Sequence, residues 1–288
     1  MKGVFFLRNS EIIKTGLFTR IILSLILLAV TIFFIWPIYW MISGSFKNLM
    51  VSMQIPPEWI PLKPTLENYR ILLEKFPTYR WLFNSGFTSV ITTVLVLFVS
   101  STSAYALAKI NFRGAKYVFG AMIAAMTLPN TILFIPLFKM INSWHVADTY
   151  MGLILPALGW PFGVFLLRQF MQTLPTTLIE ASRIDGCSEA GIFARIILPL
   201  AKPGLGALAI FTFVRSWNDY IWQTIVLKSE HMLTLPLGIQ IAQKVNEVQQ
   251  NYGVSMAGAA LATLPVLIVF ISFQKYFTKG IMLGAVKG

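Results

Sequence analysis

The chain has 288 residues, of which 56% are hydrophobic and 12% charged, with a formal net charge of +12; its mean hydropathy is +0.71. A soluble domain carries about 25% charged residues, so these figures exclude a water-soluble fold, a disordered chain, a secreted disulfide scaffold and a coiled coil. They point to an all-α integral membrane protein, in which basic residues hold loops on the negative side of the bilayer rather than bind nucleic acid.

In chain order, a basic leader (Lys2, Arg8, Lys14, Arg20) precedes an apolar run over 21–44. The run is too long for the apolar part of a signal peptide, and no small-x-small cleavage site follows, so it reads as a retained first helix. Five more apolar windows follow at 82–108, 117–138, 150–167, 203–226 and 254–274. Each can cross about 30 Å of hydrocarbon, and each reads as a helix because an open sheet would leave backbone groups unpaired in lipid. The expectation is one transmembrane domain over 1–288 with six spans.

The connecting segments set the orientation. The N-terminus, 109–116, 168–202 and the tail hold fourteen Lys and Arg, against eight in the alternate loops, while Arg215 lies within a span. This bias places both termini in the cytoplasm. The long 47–80 loop carries Pro56, Pro57, Pro61 and Pro64, which favour turns, and 66–75 predicts a short amphipathic helix on the membrane surface. Small-xxx-small pairs in the last span, Ser255/Ala259 and Gly258/Ala262, predict a packing face, with a partner chain as one candidate to cover it.

The loop between the fourth and fifth spans, 175–199, reads PTTLIEASRIDGCSEAGIFARIILP. Thr177 with Glu180 has capping-box spacing, predicting a short helix over 178–185. Gly186 supplies the positive φ of a C-cap, and Ser188 caps a second helix running to Pro199. From the residues alone, this helical corner could equally be packing at the membrane surface.

Glu180-Ala181-Ser182, three residues, Gly186, nine residues and Ile196-Ile197-Leu198-Pro199 resemble the Glu-Ala-Ala signature of ABC-transporter permeases that work with a substrate-binding protein. Ser182 in place of the second Ala is the single departure. Ser216-Trp217-Asn218-Asp219-Tyr220, the Gly284-Ala285-Val286-Lys287-Gly288 ending and the 37–47 stretch narrow the resemblance to maltose-type carbohydrate permeases, over essentially the whole chain. The resemblance implies a bacterial or archaeal cytoplasmic-membrane subunit that translocates a sugar or oligosaccharide by alternating access. Its implied partners are a second, homologous but different permease, two cytoplasmic ATPases that use ATP and Mg, an extracytoplasmic solute-binding protein, and membrane lipid.

Under that resemblance 175–199 is the coupling loop. Glu180, Ala181, Ser182, Asp185 and Gly186 meet the ATPase, and Lys287 joins them on a tail that leaves lipid beyond Tyr276 and runs extended between the ATPases. For Arg215, Trp217, Asn218 and Asp219 in the fifth span two readings stand: a translocation path that binds sugar hydroxyls, with Trp217 stacking on a ring, or an Arg215–Asp219 pair snorkelling to the interface. Thr92, Thr93, the serines at 100–103 and Asn130 are weaker candidates for the path.

No phosphate loop of the G-x-x-x-x-G-K-[ST] type occurs, the two histidines (His145 and His231) lack metal-ligand spacing, and Cys187 is alone. The expectation is therefore no bound cofactor or metal and no catalytic residue. Import of glycerol phosphate or a polyamine, or a carrier outside the ABC class, remain the alternatives.

Overall fold

A computed structural model describes residues 17–52, 54–244 and 251–285, and among them every regular element is helical. The chain begins with α1 (Leu17–Ser45), the short α2 (Leu49–Ser52) and α3 (Glu67–Lys75), and then α4 (Thr78–Lys109). Two bent pairs follow, α5 (Ala115–Met126) with α6 (Asn130–Ser143), and α7 (Tyr150–Leu158) with α8 (Pro161–Gln172). Next come α9 (Thr176–Ile184), α10 (Glu189–Leu200), α11 (Lys202–Trp217), the short α12 (Ile221–Val226), α13 (Leu235–Gln243) and α14 (Tyr252–Ala285).

Of the described helices, α1, α4 and the 252–276 part of α14 are each long and apolar enough to cross a bilayer unaided. Two of the other apolar windows are broken, with α5 meeting α6 at 105° and α7 meeting α8 at 44°, and a 77° bend between α10 and α11 stands just before the window at 203–226. Proline explains two of the bends. Pro129 and Pro161 each exclude the preceding residue from helical geometry, and Trp160 accordingly sits at φ −73°, ψ 106°. The window 203–226 also divides, because α11 stops at Trp217 and α12 starts at Ile221.

The helix α4 lies at the centre, against α7, α8, α11 and α13. Between the bulky Trp81 and Tyr105 near its ends, its inward face carries Ser85, Ser89, Thr92 and Ser100. The small face lets neighbours approach closely: a Cβ on Gly163 of α8 would lie 2.5 Å from the Ser100 hydroxyl. Several threonine hydroxyls on the buried faces bond the preceding turn, as Thr93 does to the Ser89 carbonyl at 2.6 Å and Thr212 to that of Leu208 at 2.8 Å. Apolar packing divides into two cores. One, near the start of α4, contains Trp81, Trp217, Trp222 and Leu235. The other, near its end, contains Tyr105, Leu167, Met171, Ile179, Ile192 and Ile197.

Polar side chains, the buried Asn84 and the half-buried Asp148, pin the loops at the first of these ends. The Asn84 amide donates to the carbonyls of His231 (2.9 Å) and Leu233 (2.8 Å), and its oxygen accepts from the Tyr150 hydroxyl at 2.7 Å. The Asp148 carboxylate accepts from the amides of Lys228 and Ser229 at 2.9 and 3.1 Å.

Three expectations meet the structure here. A helix forms within 66–75, and α3 docks on the protein. Asn68 is buried and donates to the carbonyls of Ser45 (2.8 Å) and Lys47 (2.7 Å). The small-residue face of α14 is covered by this chain: Gly258 abuts Ile239 of α13, and Gly44 of α1 leaves room for the Met256 side chain. Finally, α14 stays helical through Gly280 and Gly284 to Ala285 instead of becoming extended beyond Tyr276. An isolated glycine costs a helix only about 1 kcal/mol.

Candidate functional site

Two arrangements of polar residues stand out, one at each core. The first is the corner formed by α9 and α10. Pro175 stands at the start of α9, so Thr177 falls inside the helix and forms no capping box with Glu180; no side chain caps this terminus. At the other end the sequence reading holds. Gly186 has φ +80°. Its amide donates to the Arg183 carbonyl at 3.1 Å, and the Cys187 amide donates to that of Ser182 at 2.9 Å. This paired closure satisfies the last free carbonyls of the helix and needs a left-handed residue at Gly186. Ser188 then caps α10, accepting from the Gly191 amide at 3.2 Å.

The corner has two faces. Ile179 and Ser182 point inward, and Ile179 joins Ile192, Ile197, Leu167 and Met171 in the second core. Ser182 returns its hydroxyl to the Leu178 carbonyl at 2.7 Å. Glu180, Ala181, Asp185 and Gly186 are exposed. So is Ile184, at 86%, one helical turn from Glu180. An isoleucine this exposed beside an acid and a small residue makes a knob suited to a protein surface. Its i+4 relation to Glu180 is the sequence signal that would have found it. Lys287 lies outside the described residues.

Glu189, at the start of α10, ties the corner together. One carboxylate oxygen accepts from Arg183 Nε at 2.6 Å and the other from the Tyr105 hydroxyl of α4 at 2.7 Å. The Arg183 bond first, and the Tyr105 bond second, hold the Glu189 carboxyl below its ordinary value of 4.5. Lys109 also donates to the Leu174 carbonyl at 2.6 Å, joining the end of α4 to the segment before α9.

The second arrangement is a cavity of about 230 Å³ between α4, α6, α8 and α11, lined in part by Thr92, Asn130, Trp160, Thr212, Arg215 and Asp219. Arg215 and Asp219 both reach it without forming an ion pair with each other. The guanidinium lies over the Trp160 ring, 4.5 Å from its centre, while Asp219 Oδ1 accepts from the Trp222 amide at 3.2 Å. The reason is local: α11 ends at Trp217, so the i,i+4 geometry that would bring the two charges together is lost.

Trp217 and Asn218 do not line this cavity. Trp217 is 2% exposed, stacks on Phe213 and donates to the Ala262 carbonyl at 3.0 Å, which makes it a core residue. The aromatic residues at the cavity are Phe134, Trp160 and Trp222, and nothing in their local sequence marks them. Thr92 and Asn130 do meet there, whereas Thr93 and the serines at 100–103 do not. With carboxylate, guanidinium, hydroxyl, amide and indole groups together, the cavity can hydrogen-bond and stack on a neutral polyhydroxylated solute.

Residues 100–282 match the family described as binding-protein-dependent transport system inner membrane component. The chain is 38% identical over 274 residues to the arabinooligosaccharides transport system permease protein AraQ of Bacillus subtilis (strain 168), covering 93% of this chain and 96% of that one. It is 30% identical over 283 residues to the diacetylchitobiose uptake system permease protein DasC of Streptomyces coelicolor (strain ATCC BAA-471 / A3(2) / M145), covering 96% and 100%. Its fold is similar to a chain in the crystal structure of a bacterial ABC transporter involved in the import of the acidic polysaccharide alginate. The TM-score there is 0.79, the identity 24%, and the coverage 90% of this chain and 96% of that one.

Proposed function

The chain belongs to the binding-protein-dependent transport system inner membrane components, and we propose that it is the sugar-translocating permease subunit of an ATP-driven importer. The relatives named for arabinooligosaccharide and diacetylchitobiose transport support an oligosaccharide as the solute. The cavity chemistry supports the same class.

In this reading the membrane domain has six spans: α1, α4 and α14 as straight crossings, the α5–α6 and α7–α8 pairs as broken ones, and α11 as the fifth crossing, entered from the cytoplasmic α10 through the 77° bend. Non-helical backbone at membrane depth is tolerated where it borders a cavity or packed protein, and the bends at Pro129 and Trp160 border the polar cavity. The positive-inside bias puts both termini and the α9–α10 corner in the cytoplasm. There the corner meets one of two ATPase subunits, while a second permease and an extracytoplasmic binding protein complete the assembly.

The observation that carries the coupling role is the corner's division into a buried and an exposed face. Ile179 and Ser182 anchor it, and Glu180, Ala181 and Ile184 project outward. A short helix held in this way moves as a body when pushed, which a flexible loop would not. Arg215, Asp219, Thr92 and Asn130 contact the solute at the cavity. ATP and Mg are used by the partner ATPases, and this chain supplies no catalytic group.

Co-expression with candidate ATPase and permease partners, followed by uptake of arabino- and chito-oligosaccharides into proteoliposomes, tests the reading. Co-purification with an ATPase and ATP-dependent uptake are the expected results. A chain that moves solute alone, without an ATPase, would contradict it.

A further inference from the structure

The corner reaches the cavity walls by two routes. One is covalent: α10 runs through the 77° bend into α11, which carries Thr212 and Arg215. The other passes through Glu189. Its two carboxylate oxygens engage Arg183 on the far side of the Gly186 turn and Tyr105 on α4, so one side chain spans three helices. Thr92, the contribution of α4 to the cavity, stands 13 residues from Tyr105, about 20 Å along a helix rising 1.5 Å per residue.

The bridge is built rather than incidental. Tyr105 is buried, its ring packs on Phe193 at 5.4 Å between centres, and its hydroxyl is aimed out of the second core at the carboxylate. Two other polar ties at this end, Lys109 to the Leu174 carbonyl and Arg168 to the Leu107 carbonyl, attach to the segment before α9 and to α8, so the α10 side of the glycine turn meets α4 through apolar packing and the Glu189 bond. A charged acceptor makes each of the Glu189 bonds stronger than a neutral one.

We infer that Glu189 and Tyr105 form a positioning latch that makes α4 move with the α9–α10 corner, so that a displacement of the corner opens the α4 wall of the cavity. The inference rests on the permease reading above and adds to it residues outside the Glu-Ala-Ala signature. Without the latch, corner motion still reaches α11 through the chain, whereas α4 is left with apolar contacts alone, which hold the two helices less firmly than a charge-assisted bond.

The test uses the complete transporter, assembled with its ATPases and partner permease, in a Cys187→Ser background carrying Thr92→Cys. Thr92 is buried in this structure, so a rise in its labelling rate with a small maleimide reports opening of that wall. ATP should raise the rate in the otherwise wild-type assembly. Tyr105→Phe keeps the ring against Phe193 and deletes only the donor; Glu189→Gln keeps the shape and removes the charge.

Each should cut the ATP-dependent rise roughly fivefold, the scale of coupling lost when one link of a packed network is cut. ATP binding and recovery of the assembled complex should be unchanged. The double variant should be no worse than the more affected single one, because both act through one bridge. A full rise in both single variants, or a loss of thermal stability with the rise intact, would overturn the latch while leaving the permease reading standing. No response to ATP in the otherwise wild-type assembly would overturn that reading and the latch with it.

Discussion

The α9–α10 corner and the polar cavity are built in opposite ways. The corner is contiguous: 175–199 contains its turn, its second cap, its buried isoleucines and its exposed acid. The cavity is assembled from α4, α6, the α7–α8 bend and the segment around the end of α11, and of its polar residues Ser216 and Asp219 alone share a recognisable motif. Local backbone rules therefore govern the first, and long-range packing governs the second. Changes at the corner should accordingly act on coupling, and changes at the cavity on solute affinity.

The sharpest separation comes from Glu180→Lys. The side chain is exposed, so folding and membrane insertion should persist. Bringing like charges together across an interface costs several kcal/mol, so ATPase binding and transport should fall at least about tenfold. Pull-down of the ATPase and uptake measured on the same preparation check this, and normal uptake would remove the corner from the coupling role.

Gly186→Val should come next. No atom lies within 4 Å of the position a Cβ would take, so the penalty is backbone strain alone, at φ +80°. Left-handed geometry costs an L-residue about 1–2 kcal/mol, and a β-branched side chain is the poorest fit. Gly186→Asn should recover most of the lost transport because asparagine tolerates this region. Equal damage by valine and asparagine would mean the turn matters for something other than its φ.

At the cavity, Asp219→Asn removes a charge while keeping an oxygen for the Trp222 amide. Its expected effect is about a tenfold rise in the KM for solute uptake, or about 1.4 kcal/mol, with ATPase binding unchanged. Loss of ATPase binding in this variant would erase the distinction between the two regions.

The smallest effect concerns pH. Folding lowers the Glu189 carboxyl below 4.5, first through Arg183 and then through Tyr105. A lowered carboxylate contributes stability that is fully present above its unfolded value and is lost as pH falls through the folded one. The wild-type melting temperature should therefore exceed that of Glu189→Gln at pH 7, and the gap should close below about pH 4. Because the pair is solvent-exposed, the gap should be small. A gap that instead widens in acid would contradict the assignment of the bridge.

The same contrast explains what could be read from the chain. Gly186 and Ser188 were legible because a C-cap and an N-cap are local events. Thr177 misled because Pro175 starts the helix earlier than the capping spacing implies. Apolar windows fell on the long helices α1, α4 and α14 but gave no sign of the interruptions elsewhere, since hydropathy is indifferent to the bends at Pro129 and Trp160. Asp219 was found by its cost in lipid, and Trp217 was misplaced because an indole in a polar stretch can face either way. Trp160 enters the cavity only because the α7–α8 bend presents it there.

The account turns on the corner being the surface offered to the ATPases, and Cys187 offers a direct measurement. It is the chain's single cysteine and is exposed on the corner, next to Gly186. An impermeant thiol reagent should leave it unlabelled in intact cells, label it in inverted membranes stripped of the ATPases, and lose access again when the ATPases are restored. Labelling of Cys187 from outside intact cells, or labelling that the ATPases do not diminish, would contradict the coupling role.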